Sequence, residues 1–158
     1  GVNVPQEESP GIVVRTGPLP KILHTVSVLH TPPIDEERPG IHLRQNIDGS
    51  LLIGEGTQES LARDDSQLHA DEVLARAAYH LPALTGARAI AQPVGFRPMP
   101  LDGLPVLGFT RAVSNLYIAL MHSGVTLAPL VGELAAMEVV EGVRTHLLES
   151  YRPERFGN

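Results

Sequence analysis

The feature that most constrains this chain is its longest apolar run, residues 125–140. Drawn as a helix, the run puts hydrophobic side chains on nearly every side and leaves no polar stripe for water, so it predicts a buried helix. It is sixteen residues long and is interrupted by Pro129, Gly132, Glu133 and Glu138, which makes it too short and too broken to span a bilayer. No transmembrane segment is expected. Residues 1–10 are acidic and lack the apolar centre of a secretory signal, so none is expected within them. A chain of 158 residues, 42% of them apolar, can bury a core as one domain or two very small ones. One Lys and eleven Arg are spread among eighteen acids for a net charge of −6, which makes nucleic acid a poor partner. The lack of Cys removes disulfides, zinc-thiolate sites, iron–sulfur clusters and thiol nucleophiles, and fits a cytoplasmic or other non-disulfide setting.

Hydrophobic periodicity divides the rest. Residues 21–30 (KILHTVSVLH) carry apolar groups on both faces and predict a strand covered on both sides. A proline-bounded acidic loop at 31–40 leads to strands at 41–45 and 50–53, joined through Asn46-Ile47-Asp48-Gly49 as a β-hairpin. Ala70, Val73, Leu74, Ala77, Ala78 and Leu81 recur at helical spacing, with Asp65 or Ser66 as N-cap and Pro82 as terminator. Residues 87–94 and 116–120 read as further strands, and the final helix begins near Gly124 and ends at Glu141-Gly142. The fold class is α+β: a mixed, largely antiparallel sheet with the helix 66–81 packed on it, plus a smaller C-terminal strand and helix.

Two segments could carry chemistry. In 95–108 (GFRPMPLDGLPVLG) prolines stiffen the chain around Arg97, whose planar guanidinium suits a carboxylate; a structural ion pair with Asp102 or another acid is the plainer alternative. In 116–132 a strand, a His-Ser-Gly loop and an apolar helix follow in order. That arrangement aims the N–H groups of Gly124, Val125 and Thr126 at an anionic ligand or developing negative charge, the alternative being a core helix capped by Ser123. His24, His30 and His42 raise a metal site, but no HExxH or dense carboxylate cluster accompanies them, and no metal is expected.

Together, the pattern G-x-R-P-x-x-x-D-G-L-P-x-x-G at 95–108 and the strand followed by H-S-G-V-T-L-A-P at 122–129 resemble the C-terminal part of FAD-dependent oxidoreductases of the D-amino acid oxidase family, which includes glycine oxidase and sarcosine oxidase-like enzymes. The hairpin at 41–56, the helix end at 80–84 and the YRPERF segment at 151–156 extend the likeness over most of 40–156. The resemblance implies hydride transfer from the CH–NH bond of an amino acid or related amine to FAD. Arg97 would grip the substrate carboxylate, with Arg97, Pro98, His122, Ser123, Gly124, Val125, Thr126 and Leu127 lying against the flavin. The family's Gly-His pair is replaced by Leu120-Met121-His122, and His122 stays a candidate catalytic residue with its acid–base role open.

The dinucleotide-binding G-x-G-x-x-G is absent from these residues. The resemblance therefore implies a fragment whose partner is the N-terminal Rossmann half of the same protein, with little FAD retained and no activity alone. It implies residues 1–95 as substrate domain, residues 96–158 as flavin-contacting segment, and a cytoplasmic setting, peripheral at a membrane for a dehydrogenase. Self-association through the apolar helix is a further expectation. The alternative is a non-catalytic α+β binding or oligomerisation module.

Overall fold

A computed structural model describes residues 1–56 and 62–157. Its strands are β1 (Gln6–Glu7), β2 (Pro10–Gly11), β3 (Val13–Thr16), β4 (Leu29–His30), β5 (Ile41–Gln45), β6 (Leu51–Glu55), β7 (Ala89–Ala91), β8 (Gly95–Phe96), β9 (Met99–Pro100), β10 (Val106–Phe109) and β11 (Tyr117–Leu120). The α-helices are α1 (Gln67–His80) and α2 (Gly124–Glu141). The chain forms two compact units, one of residues 9–96 and one of residues 1–8 with 97–158. All strand pairings among the described residues are antiparallel, an α+β arrangement.

The unit of residues 9–96 is a five-stranded sheet of order β4-β5-β6-β3-β7 with α1 on one face. Alternation along the strands builds its core. Ile41 and Leu43 of β5, Leu51 and Ile53 of β6 and Val14 of β3 are buried together with Ala70, Val73 and Ala77 of α1. The hairpin turn closes as expected, with Gly49 N donating to Asn46 O at 3.0 Å. Ser66 is the N-cap of α1, its hydroxyl accepting from His69 N at 3.2 Å, and Pro82 follows the helix end. An ionic cluster ties α1 to the end of β6. Glu55 takes Arg76 Nη2 at 2.5 Å and His69 Nε2 at 2.7 Å, while Arg76 Nη1 donates to Pro39 O at 3.3 Å. Burial pushes the Glu55 carboxyl up, but Arg76 and His69 outweigh it and hold it below the ordinary carboxylate range.

Two expectations are corrected here. The strand at 21–30 shrinks to Leu29–His30. Pro18 and Pro20 have no N–H to give a ladder, and the N–H groups of Ile22 and Leu23 donate instead to the side-chain oxygen of Gln45 at 2.8 and 3.2 Å. That amide's nitrogen donates to Pro20 O and Gly49 O. The strand at 87–94 is shortened to Ala89–Ala91, ending before Pro93.

In the other unit β10 and β11 form a hairpin that leads into α2, and β1 pairs with β9. That pairing places the first eight residues with 97–158, so the boundary expected between 95 and 96 is crossed by the chain start as well. The buried-helix expectation for α2 holds on one side only. Its Val131, with Leu127 and Leu134 beside it, packs on Leu107 and Leu148, but Val125 is 88% and Val140 81% exposed. One side of the helix finds partners and the remaining apolar sides do not. No helix of the described residues is long and apolar enough to cross a membrane.

Candidate functional site

Arg97 and residues 122–127 belong to the same unit. Arg97 stands between β8 and β9, half-buried, followed by an exposed Pro98. Beyond β9 the chain turns through Gly103 N donating to Pro100 O at 2.8 Å. Asp102 does not pair with Arg97. Its carboxylate takes Arg155 Nε at 2.7 Å and Nη2 at 3.1 Å, and this contact holds its pKa below the usual range. Asp102 is thereby not the acid of a structural Arg97 ion pair. Among the described residues no hydrogen bond or ion pair joins Arg97 to residues 122–127.

Those residues form the connection from β11 into α2. Ser123 adopts the left-handed conformation with φ 59°, and its hydroxyl lies 2.8 Å from His122 Nδ1 rather than over the helix end. The expected Ser123 cap does not form, because the left-handed backbone turns the side chain toward His122. The N–H groups of Gly124, Val125 and Thr126 thus meet neither an intrahelical carbonyl nor a capping side chain. All three residues are exposed. An uncapped helix N-terminus favours negative charge through these donors and the helix dipole.

At the other end of α2 lies a cluster that sequence reasoning missed. Glu138 is 4% exposed and takes Arg152 Nη1 at 2.7 Å and Nη2 at 2.6 Å, one on each oxygen. The same carboxylate accepts Thr145 N at 2.7 Å and the Tyr117 hydroxyl at 3.0 Å. Arg152 also donates to Thr145 O at 2.8 Å. The Arg152 hydrogen bonds, opposed by burial, hold the Glu138 carboxyl down at about 2. Burial and the neighbouring carboxylate push the Tyr117 phenol up to about 12. Glu138 had shown in the sequence only as an interruption of the apolar run, and Arg152 only as part of YRPERF. An acid inside an otherwise apolar helix was the available signal for a buried pair.

This cluster explains the last glycine of the 95–108 pattern. Gly108 has φ 135°, and a Cβ there would lie 2.8 Å from Arg152 Nη1 and 3.4 Å from Pro153 Cδ. The YRPERF segment thus packs against the β10–β11 hairpin at a point where only glycine fits.

The DAO family model, FAD dependent oxidoreductase, matches residues 1–137. The chain belongs to the DAO family of FAD-dependent oxidoreductases. An opine oxidase subunit of Agrobacterium tumefaciens (strain Ach5) is 28% identical over 115 residues, covering 72% of this chain and 31% of that protein. The uncharacterized oxidoreductase YurR of Bacillus subtilis (strain 168) is 38% identical over 112 residues, covering 66% of this chain and 30% of that protein. The crystal structure of glycine oxidase from Geobacillus kaustophilus superimposes with a TM-score of 0.66 at 26% identity, over 96% of this chain and 40% of that one. The chain therefore spans about a third of the length of these curated relatives. The family's cofactor is FAD.

Proposed function

We propose that this chain serves a flavoenzyme that oxidises the CH–NH bond of an amino acid or related amine, and that it supplies the substrate-carboxylate ligand and part of the flavin's surroundings. The observation that carries the reading is the uncapped, exposed N-terminus of α2 at residues 124–126, which follows the motif-bearing hairpin in a chain of this family. FAD, when bound, supplies the hydride acceptor. The donors of Gly124, Val125 and Thr126 fit a group that gains negative charge, and they need no reorganisation to meet it. Arg97 holds the substrate carboxylate by two parallel hydrogen bonds and so orients the carbon that bears the amine. Pro98 stiffens that support. His122, Ser123 and Leu127 complete the surface beside the flavin, with His122 Nδ1 tied to the Ser123 hydroxyl. The unit of residues 9–96 is the substrate domain. The remaining unit is the flavin-contacting segment, and the ADP half of FAD is held by a dinucleotide-binding half outside these 158 residues.

The test is co-expression of this chain with, or its extension by, a dinucleotide-binding half. A yellow, amine-oxidising protein is the expected product, and a colourless protein that takes up no added FAD would sink the reading. In the yellow protein, Arg97→Lys should raise the KM for an amino acid by roughly 10- to 100-fold while leaving flavin content unchanged, because a point-charge ammonium cannot reproduce the fork. Equal turnover by both would remove Arg97 from the site.

The exposed sides of α2 carry a second expectation. With Val125, Leu130, Val139 and Val140 all more than half exposed, the 158-residue chain should self-associate at high concentration. A single monomeric boundary in sedimentation velocity at about 100 μM would contradict this.

A further inference from the structure

Ser123 is the only residue other than glycine with a positive φ among the described residues, at 59°. Glycine takes that conformation freely, whereas a serine Cβ there crowds its own backbone. Strain of this kind persists where surrounding contacts hold it, and it gathers at functional sites. Two uses are open to the Ser123 hydroxyl. The first, capping α2, it does not make. The second is the contact with His122, where Oγ lies 2.8 Å from Nδ1. The left-handed turn therefore serves the imidazole.

A hydroxyl and a ring nitrogen at this distance form a hydrogen bond in one of two directions. Either the serine O–H donates to a bare Nδ1 and the ring proton sits on Nε2, or Nδ1–H donates to the serine oxygen and Nε2 is bare. Two features favour the first direction. Nδ1 is held beside the first turn of α2, whose N–H groups and dipole make a positive end, and a lone pair is favoured there over another N–H. The hydroxyl proton also has no other acceptor among the described residues. Nε2 of half-buried His122 has no hydrogen-bond partner among them either, so its N–H is left for a bound group.

We propose that Ser123 is a positioning residue: its hydroxyl fixes the Nε2–H tautomer of His122, which then serves as a neutral hydrogen-bond donor to the flavin where negative charge gathers, and not as a base. The single lone pair of the neutral ring, on Nδ1, is occupied by the hydroxyl, so one side chain decides which chemistry its neighbour can do. The tautomer stands on the contact between residues 122 and 123 alone, whereas the role toward the flavin rests on the amine-oxidase reading above.

Nitrogen-15 NMR of the histidine rings tests the tautomer on the 158-residue chain, at about pH 8.5, where an ordinary imidazole is neutral. The His122 ring, assigned by its loss in His122→Gln, should carry a proton on Nε2 and none on Nδ1. Ser123→Gly suits the left-handed backbone and removes the hydroxyl. In that variant the far-ultraviolet circular dichroism should stay the same while the two ring-nitrogen signals move toward each other as the tautomers exchange. A proton on Nδ1 in the unmodified chain, or ring signals that ignore Ser123→Gly, would overturn the assignment. In the flavin-loaded protein, Ser123→Gly should lower kcat about tenfold with KM for an amino acid unchanged, because Arg97 still holds the carboxylate. It should also lower the flavin's reduction potential by about 30 mV, the two-electron equivalent of a tenfold change. A Ser123→Gly protein with unaltered kcat and potential would overturn the donor role. The Nε2–H ring in a protein that oxidises no amine would leave the tautomer standing and defeat the amine-oxidase reading. Amine oxidation by a protein whose His122 carries its proton on Nδ1 would do the reverse.

Discussion

Replacing Glu138 with Ala is expected to destabilise the unit that contains it by about 3–5 kcal/mol, because Arg152 would be left as a buried cation with only the more distant, half-exposed Glu149 to offset it. Arg152 keeps its contact to Thr145 O and a long ion pair to Glu149 at 3.8 Å in that variant, and the Tyr117 hydroxyl and Thr145 N–H lose their acceptor. Urea unfolding followed by tyrosine near-ultraviolet circular dichroism measures it well, since Tyr117 and Tyr151 both lie in this unit and the chain has no Trp. Removing both charges with Glu138→Leu and Arg152→Met should cost less than Glu138→Ala alone. A double variant that loses as much as the sum of the two single ones would show that the pair is not a coupled unit.

The same pair makes stability depend on pH in a defined direction. The folded carboxyl titrates at about 2, below its value of 4.5 without the fold. Its contribution, on the order of 3 kcal/mol, is therefore complete above about pH 5 and is lost as pH falls toward 2 and below. Glu138→Gln should flatten the fall in stability between about pH 5 and about pH 2.5, and an unchanged slope in that variant would locate the acid sensitivity elsewhere.

The second large effect is expected at Gly108. Alanine there must adopt φ 135° and bring a Cβ to 2.8 Å from an Arg152 head that is itself pinned by Glu138. A cost of about 2–4 kcal/mol follows from strain and crowding together. Gly103→Ala separates the two causes. Its φ is 72° and the space around it is open, so it should show only the conformational cost of about 1 kcal/mol. Equal melting of the two variants would mean that the approach of Arg152 does not constrain Gly108.

The parts of the fold that were legible in the sequence are those where one local rule decides. The hairpin follows from an Asp-Gly turn between alternating runs, and α1 follows from a helical period bounded by Ser66 and Pro82. Residues 21–30 misled because their alternation was real but their ladder partner was a side chain, and periodicity says nothing about where hydrogen bonds go. The proposed site rests on motifs, since Arg97 and residues 122–127 stand out by residue type and order. The Glu138 and Arg152 clamp was not legible, because its two halves are 14 residues apart and meet only after α2 and the YRPERF segment have folded back. Ser123 shows the limit in another way: its residue type suits a cap, and its backbone conformation denies it one.

Gln45 has one more consequence. A single amide anchors residues 20–23 through bonds to Pro20, Ile22 and Leu23, so this connection is held by one side chain and by the packing of Ile22 and Leu23 on the core, and not by a run of paired backbone. Residues 24–28 downstream of that anchor can then change in length at little cost in loop closure and without shifting the register of β5 on β6. The fold thus contains an insertion point, at which residues can be added or removed while the sheet stays the same.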